Sequence, residues 1–164
     1  MTVDSSRTSL LEHGTEDDDL VALAHEFAAK ELRPVAAEYE ESGTYPHEIV
    51  RKAASVGLAS YDLPEEYGGG GVTSMLTIAR IEEELAWGDN SLKGTFRSGS
   101  FFAGPLLVLG SEEQKRRWIP SLCTDDPKLG ATAATEPEVG SDASAMRTTA
   151  RRVDGGYVLN GQKI

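Results

Sequence analysis

Leu20, Leu23, Ala24, Phe27, Ala28 and Leu32 fall on one helical stripe, with Asp17, Asp18 and Asp19 just ahead of it. Acids favour the positive end of a helix, so the pattern predicts a helix from about residue 20. Pro34 lacks a backbone donor and is expected to kink or interrupt it. The stripe resumes at Val35, Ala36 and Tyr39 and stops at Gly43. Pro46 is placed to open a second helix, with Ile49, Val50, Ala53 and Val56 on its buried side and Gly57 as its stop. Ser74 is a candidate cap for a third helix, carried by Met75, Ile78, Ala79, Ile81 and Leu85 and ending near Gly88. Residues 91–109 are small and apolar. They read as helical, with Gly94, Gly99 and Gly104 lowering propensity but permitting close packing. Ser111 and Gln114 form a capping-box pair before a short basic helix bounded by Pro120.

The pattern changes after Asp125-Asp126-Pro127. Residues 129–135, 148–153 and 157–160 read as strands, the last two joined by the turn signal Asp154-Gly155-Gly156. The expected organisation is a loose tail over residues 1–19, a helical domain over 20–127, and the start of a β domain over 128–164. The fold class is therefore mostly α, a helical bundle followed by the first strands of a β domain. So few strands cannot bury a sheet face and leave edges unpaired, so a continuation or a covering partner is expected.

Composition adds limits. Hydrophobic residues make up 39% and charged residues 26% of the 164, an ordinary globular balance. The net charge of −11 argues against nucleic acid and against anionic membrane surfaces, which reward clustered Lys and Arg. No apolar run reaches the ~20 residues a membrane span needs, and the first residues resemble no signal or transit peptide. Cys123 is the sole cysteine, which removes internal disulfides and cysteine metal clusters and fits a cytoplasmic protein.

Few segments carry candidate chemistry. His13, His25 and His47 are scattered without metal-ligand spacing, so no metal site is expected. Gly68-Gly69-Gly70-Gly71 lacks the endings of a phosphate loop and reads as a flexible connection. Glu82, Glu83 and Glu84 read as a solvated helix face, Lys115, Arg116 and Arg117 as surface charge, and Cys123 as a bland thiol. Thr135-Glu136-Pro137-Glu138-Val139-Gly140-Ser141-Asp142 stands apart. Pro137 fixes a backbone angle, Gly140 leaves room for a close neighbour, and Thr135 and Ser141 offer hydroxyls. Taken alone, this is either an ordinary turn whose hydroxyls satisfy the backbone or a site for a polar, partly aromatic ligand.

A set of segments decides between those readings. In order they are Arg33-Pro34-Val35-Ala36, Tyr45-Pro46, Leu63-Pro64-Glu65-Glu66-Tyr67-Gly68-Gly69, Glu83-Glu84-Leu85-Ala86, Gly110-Ser111-Glu112-Glu113-Gln114-Lys115, Thr135-Glu136-Pro137 with Gly140-Ser141-Asp142, and Asn160-Gly161-Gln162-Lys163. Together, over residues 20–164, they resemble the acyl-CoA dehydrogenase family. The resemblance implies a helical N-terminal domain, a β-barrel-like middle domain that begins here, and a C-terminal four-helix domain. It implies FAD as cofactor, held here by Thr132, Ala133, Ala134, Thr135, Gly140 and Ser141, with Ser141 also near the acyl-CoA substrate. The implied reaction takes the α-proton with a glutamate and the β-hydride with the flavin, giving a 2-enoyl-CoA. The implied partners are an electron-transferring flavoprotein and further copies in a homotetramer.

The family glutamate belongs to the C-terminal domain, so no catalytic residue is expected in this chain. The family pattern continues past Lys163 into a Trp-Ile-Thr/Ser stretch that also packs on the flavin, and this chain stops before it. Glu138 stands where the family commonly has a small residue. The expectation is a fragment that is inactive and holds FAD poorly by itself. Two alternatives are a complete short module that docks on another dehydrogenase-like chain, and part of a related acyl-CoA or nitroalkane oxidase.

Overall fold

A computed structural model describes residues 15–164, which are mostly helical with two strands at the end. The chain divides into two compact units, Met1–Ala131 and Thr132–Ile164. The division falls a few residues beyond the expected boundary at 127/128.

In the first unit, α1 spans Thr15–Phe27. It begins earlier than the expected tail allows: Asp17, Asp18 and Asp19 lie in its opening turns, where carboxylates meet the positive end of the helix dipole. Residues 1–14 of that tail, His13 included, lie outside the described residues. The helix widens into a π-helical turn, Ala28–Leu32, closed by the Arg33 N–H on the Ala28 carbonyl at 3.0 Å. Pro34 has no N–H to carry the ladder on, and α2, Ala36–Ser42, starts afresh and ends at Gly43 with φ +62°. The interruption expected at Pro34 is there.

Helix α3 spans His47–Ser55, with Pro46 as its N-cap. Its end is a Schellman closure: Gly57 N–H reaches Ala54 O at 3.0 Å and Leu58 N–H reaches Ala53 O at 2.9 Å, with Gly57 at φ +82°. Val56, expected on the buried side, is exposed because it already lies past the last helical residue.

Helix α4 spans Met75–Phe96, and the Ser74 hydroxyl accepts the Thr77 N–H at 3.3 Å. Its backbone leaves helical geometry at Asp89, one residue after the expected end at Gly88. The Asp89 carboxylate accepts the Leu92 N–H at 2.7 Å and so caps a new helical run. Helix α5, Ser98–Leu109, and α6, Glu112–Trp118, complete the unit, and the capping box of Ser111 and Gln114 is formed in both directions. The chain tightens into a 3₁₀ turn at Ile119–Leu122, around Pro120.

Phe27, Leu32, Val50, Leu58, Tyr61, Ile81, Leu85 and Phe96 form the main core, and Leu63, Tyr67, Ala103, Ile119 and Leu122 a smaller one. Gly88 sets the approach of α4 to the π-helical turn, since a Cβ there would sit 2.7 Å from the Ala28 Cβ and 3.0 Å from the Leu32 Cδ1. Of the α4 and α5 glycines expected to permit close packing, Gly99 faces Leu122, while Gly94 and Gly104 have open space.

The glycine quartet is not the flexible connection its sequence suggests. Gly70 N–H bonds Ser60 O at 3.0 Å, Gly71 N–H bonds Leu63 O at 2.9 Å and Val72 N–H bonds Tyr61 O at 2.9 Å. A Cβ on Gly69 would fall 2.2 Å from the Leu63 carbonyl oxygen. Bare backbone lets this loop lie directly against the one before it.

In the second unit, β1, Thr149–Val153, and β2, Gly156–Asn160, form an antiparallel hairpin with Thr149 opposite Asn160 and Val153 opposite Gly156. Gly155 turns it at φ +76°. The strand expected over residues 129–135 is not formed. A strand exists only where a neighbour completes its ladder, and among the described residues no strand pairs with this stretch; the single backbone bond from Ile164 to Thr135 makes no ladder.

Candidate functional site

Residues 132–135 belong to no helix or strand, and Thr132, Ala133, Ala134 and Thr135 are all exposed. The chain then folds back through a tight turn: Glu136 N–H bonds Val139 O at 2.9 Å and Val139 N–H bonds Glu136 O at 3.1 Å. This antiparallel bridge sets Thr135 and Gly140 on neighbouring stretches of chain, and exposed Ser141 follows. A Cβ on Gly140 would have nothing within 4 Å, so the room expected there exists and none of the described residues fills it.

Glu136 holds this shape. It is only 6% exposed, between exposed Thr135 and exposed Pro137. Its carboxylate accepts the N–H groups of Arg147 at 2.8 Å and Thr148 at 2.9 Å, and Lys163 Nζ at 3.0 Å. The Thr148 side chain, both backbone N–H groups and Lys163 favour the ionised form. They hold the carboxyl down to about 2 against the cost of burial. Such a group is an anchor and a poor general base, because a base works best with a pKa near the operating pH. Glu138 pairs instead with Arg147, and Asp142 accepts the Ser144 hydroxyl at 2.5 Å. A cleft of about 290 Å³ is lined by Glu136, Pro137, Glu138, Arg147, Thr148, Gly161 and Gln162. None of the six expected cofactor residues lines it.

Sequence reasoning placed Glu136 and Lys163 inside family segments but gave neither a role. A carboxylate followed by proline, three positions before an apolar Val139, was the available signal for a buried anchor.

The first unit contains a second polar centre. Arg97, at the α4–α5 junction and 4% exposed, bonds both Asp62 oxygens at 2.9 and 2.7 Å, Glu82 at 2.9 Å and the Ala59 carbonyl at 3.1 Å. Its guanidinium lies 4.1 Å from the Tyr61 ring centroid. The Tyr61 hydroxyl donates to Glu82 at 2.8 Å, Lys93 reaches Glu82 at 2.8 Å, and the Ser100 hydroxyl donates to Asp62 at 2.9 Å. Burial opposes the Arg97 charge, but Asp62 and then Tyr61 and Glu82 keep it firmly protonated. Burial also pushes the Tyr61 phenol up. For Glu82, burial pushes upward too, but Lys93, Tyr61 and Arg97 outweigh it and the carboxyl sits below the usual range. Glu82 is therefore no part of a solvated acidic face, as its run of glutamates suggests. One turn of helix points it at Arg97, while Glu83 is exposed. These charges satisfy one another, which makes the cluster a packing device.

Lys115, expected as surface charge, is instead part-buried and paired with Glu112 at 3.0 Å. Burial raises the Cys123 thiol, which makes it a weak nucleophile. Arg116 and Arg117 are exposed and lie 5.9 Å and 4.9 Å from the ring centroids of Tyr67 and Trp118. Among the described residues, no helix is long and apolar enough to cross a membrane.

Residues 14–126 match the acyl-CoA dehydrogenase N-terminal domain. The chain is 40% identical over 146 residues to the short-chain specific acyl-CoA dehydrogenase, mitochondrial, of Homo sapiens, covering 88% of this chain and 35% of that protein. It resembles the butyryl-CoA dehydrogenase of Megasphaera elsdenii with a TM-score of 0.78 and 34% identity, over 94% of this chain and 41% of the other. It also resembles the acyl-CoA dehydrogenase of Bacillus anthracis complexed with FAD, with a TM-score of 0.77 and 34% identity, over 93% of this chain and 26% of the other. The chain thus spans well under half the length of these relatives. With the helical unit matched along nearly its whole described length, and the turn after it carrying Thr135-Glu136-Pro137 and Gly140-Ser141, the chain belongs to the acyl-CoA dehydrogenase family.

Proposed function

We propose that these 164 residues are the N-terminal helical domain and the start of the middle β domain of an FAD-dependent enzyme that oxidises an acyl-CoA thioester to the 2-enoyl-CoA. One observation carries the reading: residues 132–135, Gly140 and Ser141 are exposed around a turn that buried Glu136 anchors. The segment fits a flavin. It offers exposed backbone, the hydroxyls of Thr135 and Ser141, and open space at Gly140 where a ring edge can approach. The Bacillus anthracis relative is complexed with FAD, which supports the same cofactor here.

Bound there, FAD supplies acceptance of two electrons, which a protein side chain cannot provide. The chain's own share is binding and alignment. Backbone groups of Thr132, Ala133, Ala134 and Thr135 would hold the cofactor, apart from the Ala134 and Thr135 carbonyls that Lys163 and Ile164 already occupy, and the Thr135 hydroxyl would add a hydrogen bond. Ser141 lies at the edge shared with the acyl-CoA and orients it. The turn fixes these groups in advance, so their ordering cost is met before ligand arrives. The base that removes the α-proton is a glutamate outside these residues, in keeping with the low pKa and full engagement of Glu136. By itself the chain holds FAD weakly and turns nothing over. The parent assembles as a homotetramer and passes electrons to an electron-transferring flavoprotein. A cytoplasmic setting accords with the single cysteine.

The test is to purify the protein at its natural length, extract its flavin, and assay acyl-CoA thioesters with a dye acceptor. Stoichiometric FAD and dye reduction are expected. Oxygen uptake with acyl-CoA and no need for the dye would make it an oxidase, and absence of flavin and turnover would overturn the reading.

A further inference from the structure

We propose that Lys163 is a positioning residue for the cofactor segment: by tying Ala134 and Glu136 it fixes the backbone on both sides of Thr135, so that the segment keeps one shape before any ligand binds. The inference rests on the flavin reading above and adds to it a residue outside the six expected to hold the cofactor.

Lys163 Nζ donates to the Ala134 carbonyl at 2.9 Å and to Glu136 Oε1 at 3.0 Å, with Met146 Sδ at 3.3 Å. An ammonium carries three donors and no acceptor, so these contacts use its full capacity. The residue between, Thr135, is tied as well, because its carbonyl accepts the Ile164 N–H at 3.0 Å. Three consecutive residues of the segment are therefore fastened to the end of one stretch, 163–164. Glu136 passes the restraint on, since its carboxylate also holds the N–H groups of Arg147 and Thr148. The two bonds from the Lys163 ammonium and the two backbone N–H bonds to the Glu136 carboxylate involve charged groups and are stronger than ordinary ones.

Gly161 delivers the lysine. It sits at φ +155°, and a Cβ there would lie 2.2 Å from the Thr148 Oγ1 and 2.7 Å from the Thr148 Cα. Only a residue without a side chain lets the chain leave β2 so close over Thr148. Asn160-Gly161-Gln162-Lys163 thus works as one unit, glycine for the approach and lysine for the tie.

The experiment compares wild type, Lys163→Met and Lys163→Arg in the protein at its natural length. FAD affinity is measured by titration of the apoprotein, and amide exchange is followed at Glu136 and Ile164, with Leu85 as a reference in the helical core. Lys163→Met should bind FAD about tenfold more weakly, the loss expected when a charged hydrogen bond is removed. Its Glu136 and Ile164 amides should exchange faster while Leu85 does not change. Lys163→Arg keeps the charge and donors and should recover most of the affinity. Wild-type affinity in Lys163→Met, unchanged exchange at Glu136 and Ile164, or an arginine variant as defective as the methionine one would each overturn the proposal. If wild type takes up no FAD, the flavin reading fails by itself, and the exchange comparison still decides whether Lys163 fixes the segment. Should Lys163→Met fail to fold, the arginine variant decides: native-like exchange and FAD affinity support the tie, and a loss of both contradicts it.

Discussion

The two units are held in shape by different physics. The helical unit closes around apolar side chains, with Leu32, Leu58, Ile81, Leu85 and Ile119 fully buried, and its innermost charges neutralise one another around Arg97. In the second unit, Glu136 and Val139 are the only buried residues, and Tyr157, Val158 and Leu159 are exposed on both faces of the hairpin. A two-stranded hairpin shelters neither face. Charge divides the same way. Glu136, Glu138, Asp142 and Asp154 balance Arg147, Arg151, Arg152 and Lys163, so the acidic excess of the chain belongs to the helical unit. Burial fixes a scaffold in every direction. A few polar ties fix a short segment while leaving its outer backbone open to a ligand.

That contrast can be broken most forcefully at Arg97. Arg97→Met leaves part-buried Asp62 without its cation and Glu82 with Lys93 alone, and should cost about 3 kcal/mol in urea unfolding. Amide exchange at Arg147 and Thr148 should hardly change, and a parallel loss there would mean the units are not held separately. Gly88→Ala forces a Cβ against Ala28 and should cost about 1–3 kcal/mol despite the better helix propensity of alanine. A gain in the unfolding midpoint would show that α4 and the π-helical turn can part freely. Ser111→Ala removes half of the capping box and should cost about 1 kcal/mol, read in the same urea experiment.

The smallest global effect and the sharpest local one come from pH. A glutamate with an unfolded pKa of about 4.3 that is held down to about 2 stabilises its surroundings fully above the first value. That contribution fades as pH falls through the window between them. Protection of the Arg147 and Thr148 amides should therefore be lost between about pH 4 and pH 2, while Leu85, sheltered by apolar packing, stays protected through the upper part of that range. Protection of all three that declines together would mean that Glu136 anchors nothing of its own.

The sequence was most legible where local chemistry decides. The capping box at Ser111, the stop at Gly57, the break beside Gly88 and the Asp154-Gly155 turn depend on neighbours in the chain, and all formed. It was least legible where distant chain decides. The quartet beginning at Gly68 reads as flexible because nothing local shows that Ser60, Tyr61 and Leu63 will bond it. Glu82 reads as solvated because Arg97, fifteen positions on, carries no mark of its burial. Residues 129–135 have strand composition, and composition does not supply a neighbouring strand. At the candidate site, the family motif located the exposed residues. The ties beneath them, Glu136 to Arg147 and Thr148 and Lys163 to Ala134, span eleven to twenty-nine positions and had no periodic signal.

The central claim, that residues 132–141 receive a flavin, is tested most directly at Gly140. Its Cβ direction is open and its φ is not in the left-handed region, so a side chain can start at Gly140 without a clash at its Cβ or a strained backbone. The measurement is the FAD content of Gly140→Phe in the protein at its natural length, beside its thermal unfolding midpoint without flavin. The account predicts a large loss of flavin with an unchanged apoprotein midpoint. Full flavin content with phenylalanine in place would contradict it, because the space at Gly140 would then belong to no ligand.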